Sequence, residues 1–411
     1  MSGPGIDAQR VIADLRELAR RTSDDDGAQR LCWGDGWRTA REFLRELLSE
    51  IGIEPEIDEA GNAWAYLAGE HEPALAVGSH VDSVPNGGWL DGALGVMGAL
   101  GVLRAWAEAD AQPPRTLALV DWADEEGARF GRSLFGSSAA AGTFDPAELA
   151  NARDAEGRGA REVLAENGVD IDHAADSGSR LERLGAYLEL HIEQGPVLEA
   201  EGIRAAAVSG CVGVERVRFR IAGRVSHAGT TPMDARHDAG LVAAAAALRV
   251  EEIAIGESGV ATVGEISFEP GIPTAVPGRA SMVVDLRNRS AEGLARMLDS
   301  TREAVAARAA ERGCEVSEEP VWRIEPIAFD PDLVASARDA CERVTGTAYE
   351  LPSGALHDAA SMAPHLPTAM VFSSSIAGVS HAPEEDTAEP DLAAAIEAFG
   401  TLVDTRITTA S

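Results

Sequence analysis

His80 and Asp82 stand two residues apart, and Asp91 follows after a turn-rich loop, within Ala74 to Val96, ALAVGSHVDSVPNGGWLDGALGV. An imidazole and two carboxylates at one sheet edge outline a site for a hard-to-borderline divalent metal. Three later stretches repeat the arrangement, an apolar run that ends in ionisable side chains. TLALVD runs into Asp124, Glu125 and Glu126, AYLEL delivers His191, Glu193 and Gln194, and Ala369–Phe372 leads to Ser380, His381, Pro383 and Glu384. Taken alone, the first stretch is equally well a loop histidine with two capping aspartates. Glu125 and Glu126 alone would pass for a solvated acidic turn. Four such run-ends in one chain are harder to dismiss, because ligands of open α/β sheets bind in the crevice beyond the strand ends.

Two metals about 3.5–4 Å apart need a bridging carboxylate, terminal ligands and a water to activate. The spacing assigns Asp91 as the bridge, His80 and His191 to one metal, and Glu126 with His381 to the other. Glu125, beside a ligand and pointing elsewhere, is then the general base. Asp82, on the same face as His80, holds that imidazole's second nitrogen. His71, His173 and His365 sit in polar loop contexts, and His237 reads as a helix-surface residue. His227 lies in SHAGTTPMDARHDAG and Arg287 in VVDLRNR. Arg287 is either a plain surface arginine or a fork for a substrate carboxylate.

These residues need elements to carry them. Helical patterning covers 7–21, 37–51 and 92–109, and buried-strand runs cover 63–68, 74–79, 116–121, 186–190 and 369–372. Gly92, Gly95, Gly98 and Gly101 recur through one helix, and each interior glycine costs about 1 kcal/mol against alanine, so that backbone is expected to lie close against the sheet. Asp145 as N-cap and Pro146 at the first turn predict a helix over 145–168. From 212 to 324 the grain changes. Val217, Phe219 and Ile221 alternate with arginines, and the order β-α-β-β-α-β is that of a ferredoxin-like unit. The expected class is therefore α/β with two domains: a metal-binding catalytic domain in two parts, 1–211 and 325–411, interrupted by an inserted domain, 212–324.

Composition bounds the partners. The chain has 411 residues, 45% hydrophobic and 25% charged, with a net charge of −33. Such a field argues against nucleic acid and anionic membrane, and no apolar run reaches the roughly 18 residues of a membrane span. The opening MSGPGIDAQR lacks the basic flank and apolar core of a secretory leader. Cys32, Cys211, Cys314 and Cys341 are scattered without a CxxC, which fits a reducing cytoplasm. Every basic residue is arginine, so Schiff-base chemistry and a carboxylated-lysine metal bridge are excluded.

The pieces GSHVDSVPNGGWLDGALGV, ADEEGARFG, LELHIEQGPVLE, SHAGTTPMDARHDA, SGALHDAA and GVSHAPEE, in this order over about residues 75–385, resemble one family. It is that of the metal-dependent amidohydrolases that cleave ureido acids: N-carbamoyl-L-amino acid hydrolases, allantoate amidohydrolases and β-ureidopropionases, within the di-zinc aminoacylase and carboxypeptidase clan. HIEQGP resembles the ureido-cleaving branch, since peptidases of the clan usually carry an acid where His191 stands. The resemblance implies two divalent metal ions per subunit (zinc, or manganese, cobalt or nickel) on His80, Asp91, Glu126, His191 and His381, with Glu125 as base and Asp82 behind His80. It implies an inserted domain that acts as lid and makes a homodimer, and a His227 that reaches the neighbouring subunit's site to stabilise the oxyanion. Arg287, Gln194, Thr274, Ala355 and Leu356 fall at substrate-binding positions. Two of these depart from the pattern: Thr274 stands where relatives have asparagine, and Leu356 where they have glycine. The expected activity is hydrolysis of the C–N bond of a small anionic ureido substrate, foremost an N-carbamoyl-L-amino acid. Allantoate, an aminoacylase or dipeptidase reaction, and a non-catalytic metal- or substrate-binding role are the alternatives.

Overall fold

The computed structural model describes residues 3–109 and 112–408. The chain forms two compact units, one from Met1–Gly210 with Ala328–Ser411 and one from Cys211–Ile327. No helix among the described residues is long and apolar enough to cross a membrane.

The first unit is built on a mixed sheet. At its centre Thr368–Ser373, Leu184–Ile192, His71–His80 and Arg115–Trp122 lie side by side in that order, all parallel. Antiparallel strands Ala205–Cys211 and Ala63–Leu67 flank them. The central strands are buried on both faces, which is why they read as continuous apolar runs rather than alternations. In register, His80 lies opposite Trp122 and Phe372 opposite His191, so the polar residues that follow each run emerge at the same carboxyl edge.

Helix Ala93–Glu108 packs on this sheet. A Cβ on Gly95 would stand 2.4 Å from the carbonyl oxygen of Leu190 and 2.5 Å from Cβ of Ser79. Gly92, at φ +62, leaves no room for a side chain beside the His80 ring, whose Cε1 would be 2.3 Å away. The glycines that weaken this helix locally are thus what lets it approach the strand that carries His80. Helix Ala8–Thr22, capped by Asp7 Oδ1 accepting from the Arg10 amide at 3.0 Å, packs in turn against it.

Two segments differ from the sequence-based expectation. The expected helix over 145–168 is a 3₁₀ turn, Pro146–Glu148, and a separate helix, Ala160–Glu166. Between them Asp154 Oδ1 accepts from the Arg158 amide at 2.7 Å and Gly157 turns at φ +82, a local side-chain bond competing with the helix ladder. The strand Ala205–Cys211 has no counterpart in the sequence pattern, because an alanine-rich run carries no period.

The second unit has four strands in the order Val260–Glu269, Arg279–Asn288, Gly213–Ala222, Glu315–Ile324, antiparallel throughout. Helices Ala239–Gly256 and Ala291–Glu311 join them in a β-α-β-β-α-β order, the ferredoxin-like arrangement. Val217, Phe219, Met282, Val284 and Leu286 form its core with Val250, Met297 and Val305.

Candidate metal centre

Asp91 sits at the middle of the carboxyl edge. Its Oδ1 is 3.2 Å from His191 Nε2 and 3.8 Å from His80 Nε2, and its Oδ2 is 3.2 Å from His381 Nε2. Glu126 Oε2 lies 3.5 Å from the same His381 nitrogen. His80, Asp91 and His191 therefore make one donor triad and Asp91, Glu126 and His381 a second, with Asp91 common to both. All but His381 are largely shielded from solvent.

The imidazoles are oriented from behind. His191 Nδ1 donates to the carbonyl of Ile192 at 2.9 Å, and His80 Nδ1 to that of Asp82 at 3.1 Å. A carbonyl only accepts, so Nδ1 of each ring carries a proton and Nε2 is the nitrogen that faces the centre. Asp82 meets His80 Nδ1 through its carbonyl, its carboxylate lies 3.6 Å from the same nitrogen, and the two carboxylate oxygens also accept the amides of Glu125 and Glu126, each at 3.2 Å. Asp121 in turn accepts the Val81 amide at 2.9 Å while paired with Arg41 at 2.7 Å. Glu385, the last residue of GVSHAPEE, accepts the amides of Leu90 and Asp91 at 3.2 and 3.0 Å and the Ser380 hydroxyl at 2.8 Å.

Glu125 is buried, with Oε2 3.6 Å from His80 Nε2, and among the described residues no donor hydrogen-bonds its carboxylate. Burial pushes this carboxyl well above the usual range, with Asp358 and Glu126 adding to the rise and His80 opposing it. Glu126 is pushed up to about 7 by burial and by the charge of Asp91. Burial also disfavours the Asp91 carboxylate, yet hydrogen bonds from His191 and His381 hold it well below the ordinary value. His381 rises to about 9, chiefly through its bond to Asp91. So many acidic groups packed around three imidazoles form a site whose charge a divalent cation would balance.

A third grouping, Glu189, His191 and His357, is as close-set, but its carboxylate is already filled. Glu189 accepts from Ser79 Oγ at 2.7 Å, the Ala359 amide at 3.0 Å and Tyr187 Oη at 3.2 Å, and Tyr187 receives Trp122 Nε1 at 3.1 Å. It props the strand end that bears His191.

A cavity of about 220 Å³ opens over the centre, lined by Glu125, Gln194, Leu134, Ala355, Leu356 and His357 among others. Gln194 Nε2 donates to Asp91 Oδ2 at 2.8 Å and Ser380 Oγ at 3.0 Å. In the second unit the ribbon Ser226–His227 pairs with Ala275–Val276, and the Ala228 amide donates to the carbonyl of Thr274 at 2.9 Å. His227 and Thr274 are thereby neighbours. Arg287 is paired through Nε with Asp285 Oδ1 at 2.9 Å.

A paired carboxylate–imidazole centre at the carboxyl edge of a largely parallel sheet defines a class, the α/β metallohydrolases. Within that class the chain belongs to Peptidase family M20/M25/M40, whose profile it matches over residues 76–405. It is 36% identical over 397 residues to an N-carbamoyl-L-amino acid amidohydrolase of Geobacillus stearothermophilus, covering 95% of both chains. It is 31% identical over 388 residues to an allantoate amidohydrolase of Bacillus subtilis (strain 168), covering 93% of each. A hydantoinase/carbamoylase family amidase from Burkholderia multivorans superposes with a TM-score of 0.90 at 32% identity, over 99% of both chains.

Proposed function

We propose that this chain is an N-carbamoyl-L-amino acid amidohydrolase that works with two divalent metal ions. The observation that carries the reading is Asp91, whose two oxygens each face a different imidazole at 3.2 Å, with the unbonded carboxylate of Glu125 beside them. His80, His191 and Asp91 would hold one ion, and Asp91, Glu126 and His381 the other. When bound, such ions would acidify a water molecule and draw charge from a carbonyl oxygen. Glu125 would take a proton from the attacking water as its oxygen adds to the ureido carbonyl. The C–N bond to the amino acid then breaks, and Glu125 returns the proton to the leaving nitrogen. Carbamate and the free amino acid leave, and carbamate decomposes to carbon dioxide and ammonia. Arg287 offers its guanidinium to the substrate carboxylate, and His227 Nε2 donates to the oxyanion.

The inserted unit is read as a lid and dimerisation domain. Its sheet ends in Val260–Glu269, an edge strand with Val260 65% exposed, and the preceding helix shows Leu248 and Ile255 at 70% and 73%. An edge strand flanked by apolar side chains favours pairing with a second copy.

Ammonia release from a panel of N-carbamoyl-L-amino acids and allantoate, and free amino acid release from N-acetyl amino acids, each with zinc, manganese and cobalt, test the activity. Release from the carbamoyl compounds is expected. Turnover of N-acetyl substrates alone would make this an aminoacylase, turnover of allantoate alone the allantoate enzyme, and no turnover with metal bound a binding protein.

A further inference from the structure

Arg30 is fully buried, yet among the described residues no carboxylate pairs with it. Its Nε donates to the carbonyl of Val81 at 2.7 Å, its Nη2 reaches the carbonyl of Gly88 at 3.4 Å, and its Nη1 has no hydrogen-bond partner. Its backbone is tied to the same loop. The Arg30 amide donates to Ser83 Oγ at 3.1 Å, and the Ser83 amide donates back to the Arg30 carbonyl at 3.1 Å.

Val81 follows His80, and Gly88 lies three residues before Asp91. One planar guanidinium therefore grips both ends of the loop that separates two donors of the centre. Burial disfavours its charge, while Asp91, Glu385, Asp82 and Glu126 favour it. Loops are mobile by default, and 81–91 has no helix of its own and only an isolated bridge, from Gly87 to Ala28. Glu385 grips the same loop at Leu90 and Asp91. Gly88 makes room for it, since a Cβ there would stand 2.0 Å from the Glu385 carboxyl carbon.

We propose that Arg30 is a positioning residue that fixes the separation of His80 and Asp91 before metal arrives, so that the loop adds no ordering cost to metal binding. The proposal rests on reading these residues as a metal centre. A lysine keeps the charge but not the fork, and a methionine keeps neither, which separates geometry from charge. A bare counter-charge would repel the incoming cation, so its removal would tighten metal binding. A positioning fork predicts the reverse.

The test uses full-length wild type, R30K, R30M and S83A, stripped of metal and checked for fold by circular dichroism. Zn²⁺ affinity is then measured by competition with a chromogenic chelator. Residues that orient metal ligands typically contribute 10–100-fold in affinity, so R30K and R30M should each weaken Zn²⁺ binding by about that factor, with S83A weaker in the same direction. Excess Zn²⁺ should recover metal occupancy in the folded variants, an effect a merely unfolding substitution would not give. Tighter binding in R30M, or wild-type affinity in R30K, overturns the proposal. Should both Arg30 variants fail to fold, S83A decides alone, and wild-type affinity there is the negative result. Wild type that binds no Zn²⁺ overturns the metal reading and this proposal with it.

Discussion

Asp82 holds Glu125 by the backbone, its Oδ1 accepting the Glu125 amide at 3.2 Å while Oδ2 accepts that of Glu126. A single carboxylate beside His80 thus places both acids of the next strand end. The arrangement is reciprocal around the site: Asp121 grips Val81, Asp82 grips 125 and 126, and Glu385 grips 90 and 91. The run-ends at 80–82 and 121–126 are thus each anchored by an acid from the other.

Asp82→Ala should therefore damage two things at once. Metal affinity is expected to fall about 10–100-fold, and kcat should fall further than metal loss explains, because Glu125 is no longer fixed. Asp82→Asn should not rescue, since its amide offers one acceptor and turns a donor toward the other N–H. Metal titration followed by kcat at saturating metal checks both. Full kcat at saturation would show that Asp82 serves the metal alone.

Glu125→Gln should keep both metals and lose turnover by about 10²–10⁴-fold, the typical contribution of a positioned proton acceptor. Its carboxylate accepts no hydrogen bond among the described residues, so the amide is expected to fit without disturbing the fold. Metal content by elemental analysis alongside ammonia release is the measurement, and a missing metal would make Glu125 a ligand.

How far this centre could be read from the chain follows from its physics. His80, Glu126, His191 and His381 follow apolar runs, where a change of polarity marks a strand end and a parallel sheet brings such ends together. Arg30 and Glu385 carry no such mark. Each lies in a polar loop, and only the fold reveals that one is buried and the other binds two amides. Glu189 is hidden differently, as a single acid inside AYLEL, where nothing in the spacing announces Ser79, Tyr187 and Ala359 as its partners. The ferredoxin-like unit is legible because its strands alternate, with Val217, Phe219 and Ile221 turned to the core and Arg216, Arg218 and Arg220 toward solvent.

Leu356 shares the lining of the cavity with Leu134 and Ala355. Removing its side chain should enlarge the space over the centre. Leu356→Gly is expected to shift kcat/KM from small toward large N-carbamoyl amino acids by about 10-fold or more, as roughly one to three kcal/mol attend each methylene-scale change in a pocket. An unchanged ranking across the panel would place the substrate side chain elsewhere.

His227 makes the sharpest test of the shared-site reading. Its Nδ1 accepts the amides of Gly229 and Thr230 at 3.1 and 3.2 Å, so the ring proton stands on Nε2, which remains a donor on an exposed residue. A donor aimed at developing negative charge acts mainly on the transition state, and losing one costs on the order of 10²–10³ in kcat. His227→Ala should lower kcat by about that much, with metal content and oligomer mass unchanged. If the histidine serves the neighbouring subunit, mixing His227→Ala with Glu125→Gln should regenerate activity, because half of each heterodimer's sites would then carry both groups. Exchange is followed by native mass spectrometry. Heterodimers that form and stay inactive would confine His227 to its own subunit or remove it from the reaction.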